Sequence, residues 1–207
     1  MDHSSRHEPR IFCYKMIFKH HGAPTIQPDR SGKLALSLAL CKPQIRTQAK
    51  VGDIIFGFGS KKSKNNGELV YACEVTEVIE APYYYVLSQY HYRRDCAYRI
   101  IDNKVYWRSG FLGQRPILCS VDDIKETVFP HDVNIGKDYK KAKVLLSINF
   151  RSFYKDSSSK EFMSMFPLVR DYISKRGRGT SFPMIREPLQ QMWSILLDIP
   201  PNYEQDI

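Results

Sequence analysis

Apolar residues alternate with small or polar ones along most of the first half of this chain, a period of two that predicts strands. Residues 10–19 (RIFCYKMIFK) read as a first strand, and residues 20–31 (HHGAPTIQPDRS) as a loop punctuated by Gly22, Pro24 and Pro28. Leu34, Leu36, Leu38 and Leu40 alternate with Ala and Ser, so 33–40 reads as a half-buried strand, with a short helix as the rival. Gly52-Asp53 is a turn dipeptide, since Gly tolerates positive φ and Asp bonds back to nearby backbone. Residues 53–58 then form the next strand, with Ile54, Ile55 and Phe56 buried. Residues 61–67 (KKSKNNG) predict a hairpin loop around Asn66-Gly67, and 68–79 (ELVYACEVTEVI) one long strand. Strand, turn, strand, hairpin, strand points to a curled antiparallel sheet or small barrel.

The period then lengthens. Residues 81–96 are tyrosine-heavy, cationic and helical in part; 104–107 form a short strand beyond the turn Asp102-Asn103; 143–153 (KVLLSINFRSF) form another. Phe162, Phe166, Val169 and Ile173 fall at helical spacing, and Pro167 either starts that helix or kinks it. Residues 187–197 are the clearest helix, with Pro188 in its first turn and Leu189, Met192, Trp193, Leu196 and Leu197 on one stripe. Between the two helices lies a glycine-broken basic loop, residues 176–180 (RGRGT).

With 207 residues, 43% of them hydrophobic, the chain has enough apolar material for one packed domain. We expect a flexible lead at 1–9, the domain at 10–155, and a helical extension at 156–207 packed on it. Charge adds a partner class. Residues from 187 onward carry Glu187, Asp198, Glu204 and Asp206 with no Lys or Arg; the other 18 acids face all 31 cations, leaving +13 on residues 1–186. Such a body suits a polyanion, nucleic acid first and an acidic membrane surface second. The acidic C-terminal helix is a separate candidate surface for a protein partner. No apolar stretch is long enough for a membrane helix, and residues 1–10 lack the apolar core of a secretion signal. Five widely spaced cysteines without a CxxC pair read as reduced thiols in a cytoplasmic protein.

The candidate chemistry gathers around residues 41–61. Gly57 and Gly59 alternate with Phe56 and Phe58, predicting a strand end with one bare face that a ligand can approach closely. Lys42, Arg46, Lys50, Lys61, Lys62 and Lys64 ring it, against the single acid Asp53. An anionic or nucleotide-like ligand fits that pattern, although GFGS has neither a Walker nor a dinucleotide spacing. Between Tyr83 and Arg108 lie seven tyrosines and Trp107 interleaved with cations, a composition suited to base stacking. Of these, Tyr106 and Trp107 are the expected stacking groups. Ser60, Asn103 and the backbone of 57–60 are expected to read base edges, with Lys42, Arg46, Lys61 and Arg178 on phosphate. Cys41 beside Lys42 is the one candidate nucleophile, but no histidine motif accompanies it. No metal-ligand spacing stands out, and no cofactor is expected.

GAP at 22–24, LALSLALCKPQIR at 34–46, AKVGDIIFGFGSK at 49–61, LVYACEVTE at 69–77 and DNKVYWR at 102–108 together resemble the nucleotide modification associated domain 2 family. The match spans roughly 10–155 and departs from the family pattern at Ile54, where a tryptophan is usual. The resemblance implies a bacterial or phage protein tied to DNA base modification, with an activity itself only inferred. The order of elements is also similar to EVE and YTH domains, implying an α+β, PUA-like curled antiparallel β-barrel flanked by helices. A binding module for nucleic acid or nucleotide carrying a modified base is the expected function. The alternative is an enzyme or accessory enzyme of nucleobase modification.

Overall fold

A computed structural model describes residues 8–16, 24–29, 31–40, 42–61, 66–101, 104–107, 142–153, 158–176 and 185–200, with the backbone alone at 101 and 104–107. The fold is mixed α+β. One sheet orders β1 (Ile11–Met16), β4 (Ile54–Gly59), β5 (Leu69–Glu74) and β10 (Asn149–Ser152). A second orders β2 (Thr25–Pro28), β3 (Leu34–Leu38), β9 (Lys143–Ser147) and β6 (Glu77–Glu80), and β7 (Tyr98–Ile101) pairs with β8 (Lys104–Trp107) as a ribbon. Among the described residues these ladders do not close into the expected barrel. All the ladders are antiparallel except β1–β4, which is parallel.

Two of the predicted long strands change sheets midway. Val75 N–H donates to the Asp53 carbonyl beside the first sheet, while its neighbour Thr76 N–H donates to Leu146 in the second. The predicted 68–79 strand is therefore β5 and β6. The 143–153 strand divides likewise into β9 and β10 around the exposed Ile148. One further expectation needs correcting: the 20–31 loop contains β2. The cationic stretch ahead of β4, which the order of residues suggests is a hairpin approach, is a helix, α1 (Pro43–Gln48), whose first residue is the proline that fits a helix start.

Alternation along β1 and β4 distributes the core. Cys13, Ile54, Phe56 and Phe58 join a cluster with α3 (Ser158–Ser164), α4 (Pro167–Lys175) and α5 (Arg186–Asp198). In it Phe56 stacks on Phe58 and meets Trp193 edge-on. Fully buried rings of this kind each contribute about 2–3 kcal/mol. Phe12, Tyr14, Met16 and Ile55 turn the other way, toward Leu36, Leu38 and Leu145 of the second sheet and Ile45 of α1. A third cluster packs α2 (Ala81–Val86) and Tyr98 against Ala39 and Val144. It absorbs the tyrosines: Tyr84, Tyr85 and Tyr98 are all buried. The 33–40 strand is accordingly buried on both faces, since the Arg93 guanidinium donates to the Ala35 carbonyl and Ser37 Oγ.

Candidate functional site

Parallel pairing puts the carboxyl ends of β1 and β4 side by side, with Ser60 N–H donating to the Met16 carbonyl at 3.0 Å. Ligands of open sheets favour this end of parallel strands. Lys42 joins it from the second sheet's side. Its ammonium lies 4.6 Å from the Tyr14 ring centre and donates to the Lys15 carbonyl at 3.2 Å. To get there Lys42 takes a left-handed backbone (φ 50°, ψ 48°) directly before Pro43, where a non-glycine residue is disfavoured twice over. Such conformations persist where surrounding structure imposes them, and they concentrate at functional sites.

Lys15 points to the opposite face. Its buried ammonium donates to the carbonyls of Ser174 at 3.0 Å and Arg176 at 2.7 Å, fastening the end of α4 to β1. Burial lowers its pKa, and the nearby positive charge of Lys61 lowers it further. Lys61 itself is exposed and Lys42 and Ser60 are half-buried. Lys42 and Lys61 thus lie at this strand end, with Lys15 and the Arg176 carbonyl on the face behind it, while the Arg176 guanidinium lies 4.8 Å from the Tyr172 ring centre. Glu68, whose carbonyl accepts from the Gly59 N–H, is ion-paired with Arg170 at 2.6 Å.

The glycine strand end is not the bare ledge the sequence suggested. Gly57 is buried between Tyr14 on β1 and Tyr71 on β5, and the two phenols hydrogen-bond at 2.9 Å. The Tyr71 ring, helped by Met16 Sδ, occupies the space a side chain at 57 would take. Gly59 is buried too. Arg46 is fully buried, and its Nε donates to the Lys143 carbonyl at 2.5 Å, so it braces α1 against β9 from inside and leaves surface contact to Lys42. In the β7–β8 ribbon, Trp107 stands opposite Tyr98 and Tyr106 opposite Arg99 in backbone register. Asn103, Arg178 and Cys41 lie outside the described residues.

Sequence reasoning missed Tyr14, Lys15 and Tyr71. The available signal was the alternation of the first strand, which puts Tyr14 and Lys15 on opposite faces. Nothing local pairs Tyr71 with Gly57. No group of three or more His, Cys, Asp or Glu among the described residues could hold a metal. Cys13, Cys73 and Cys96 are buried and outside any disulfide, and burial pushes the thiols of the first two far above the usual range. No helix among the described residues is long and apolar enough to cross a membrane.

The family model described as nucleotide modification associated domain 2 matches residues 8–202, so the match runs through the C-terminal helices as well as the sheets. No curated protein and no solved structure matches the chain.

Proposed function

Because the chain belongs to the nucleotide modification associated domain 2 family, we propose that it binds a nucleic acid or nucleotide carrying a modified base, within a bacterial or phage DNA-modification system in the cytoplasm. The observation that carries this reading is the placement of Lys42 and the exposed Lys61 at the carboxyl ends of β1 and β4. A positive edge beside parallel strand ends suits phosphate. Lys42 and Lys61 hold phosphate, with Arg178 adding a third contact from the RGRGT loop. Ser60 and Asn103 read the base edge, and Tyr106 and Trp107 stack on its face. Gly57 and Gly59 act by admitting Tyr71 and the tight strand packing. The two sheets, linked at 75–76 and at 148, serve as the walls of a PUA-like cradle. The acidic terminal helix α5 remains available to a protein partner.

A screen of modified against unmodified oligonucleotides at low salt tests this reading. Binding is expected to weaken steeply with salt, and Lys42→Ala and Lys61→Ala each to flatten the log–log salt slope by about one. Failure of every oligonucleotide to bind would end the proposal. Equal affinity for modified and plain bases would remove its base-reading half.

A further inference from the structure

Among the described residues, four of the ten exposed large apolar side chains, Tyr83, Val86, Leu87 and Tyr92, fall within one short unit made of α2 and the turns after it. Tyr83 is 60% exposed and Tyr92 44%, whereas the tyrosines between and beside them face inward. Tyr84 OH donates to Asp95 Oδ1 at 2.7 Å, Tyr85 OH donates to the Ala39 carbonyl at 3.2 Å, and Tyr90 stacks on Tyr84 at 4.7 Å. Arg93 and Asp95 pin the following turn to Ser37. Arg94 is exposed on that turn, while its backbone N–H is held by Gln27.

We propose that this unit is a stacking platform for the unpaired bases of a single-stranded nucleic acid. The proposal rests on the function argued above and extends it to a second contact surface, next to the chain segment that leads into Lys42. Three features support it. The outward phenols sit on a scaffold already locked from within, so little side-chain and backbone freedom is lost on binding. Their rings need a free base face, which a duplex does not offer. The exposed Arg94, two residues after Tyr92 on the same turn, supplies a cation for the strand's backbone, as expected of a platform for a polyanion and not of a surface for an apolar protein segment.

The test uses the full chain and three probes of about 20 nucleotides: oligo-dT, an abasic strand of equal length, and a duplex. The wild-type protein is expected to bind oligo-dT about tenfold or more tighter than the abasic strand. The double variant Tyr83→Ala/Tyr92→Ala is expected to lose about that factor on oligo-dT and nothing on the abasic strand. Both rings are largely exposed, and unchanged far-ultraviolet circular dichroism is expected to show that the fold survives loss of the Tyr92 hydroxyl beside Arg93. Equal wild-type affinity for dT and abasic strands overturns the platform, as does an unaffected double variant. A protein that still prefers modified bases in either of those cases keeps its proposed function and loses only this inference.

Discussion

Gly57 and Tyr71 face each other across the β4–β5 ladder so closely that a Cβ on the glycine would stand 2.6 Å from Cδ1 of the ring. That spacing is inside van der Waals contact, so any side chain at 57 displaces the ring or the strand. Gly57→Ala is expected to cost about 2–3 kcal/mol, read from urea unfolding. In a Tyr71→Ala background the same substitution should cost far less, because the colliding ring is gone. Strict additivity of the two changes would refute the steric account.

Lys42 permits a test that separates strain from charge. Lys42→Ala and Lys42→Gly both remove the ammonium, but only glycine accepts φ 50° without penalty. The glycine variant should therefore be more stable than the alanine variant by about 1 kcal/mol, with equally weakened oligonucleotide binding. A glycine variant no more stable than alanine would show that the left-handed turn stores no strain.

Asp53 carries more than its turn. Its carboxylate is fully buried and accepts from the backbone N–H groups of Arg10 and Lys50 and from the Arg10 guanidinium. The same guanidinium also donates to the Gln48 carbonyl. Asp53→Ala strands several buried donors and should destabilise by about 3 kcal/mol, whereas Arg10→Ala, at a partly exposed side chain, should cost clearly less. Thermal or urea melts of the pair decide it, and equal losses would contradict the asymmetry.

The buried thiols predict a pH dependence. Cys13 and Cys73 have pKa values raised by burial, so in alkaline solution the unfolded chain releases protons that the folded chain keeps. Their contribution to stability is complete below the ordinary thiol value near 9.0 and declines as pH rises beyond it. Alkylation of the native protein at pH ~8 should spare both residues and label them only after unfolding, as peptide mass spectrometry would show. Rapid labelling of either in the folded state would rule out their burial.

Legibility in the sequence varied with the range of the interaction. The turn at Gly52-Asp53 was readable because it depends on two adjacent residues, and Gly52 has φ 88°. Gly67, with φ 80°, behaves the same way in its hairpin. The α5 stripe was readable from spacing alone, and its Leu189, Met192, Trp193 and Leu196 are all buried. The long strands misled because β-propensity is continuous through Val75-Thr76 while the hydrogen-bond partners are not. Of the candidate site, Lys42 and Lys61 do reach the strand end. Arg46 does not, because α1 turns it inward onto Lys143.

The family, the mixed α+β class, the basic body and the local turns all follow from the order of residues alone, since periodicity, turn chemistry and charge are properties of short windows. Tertiary structure decided which face each tyrosine took, that β1 runs parallel to β4, and that a ring from β5 fills the space over Gly57. Those outcomes depend on partners far apart in the chain. Burial is a competition among all of them, and no short window records which one wins.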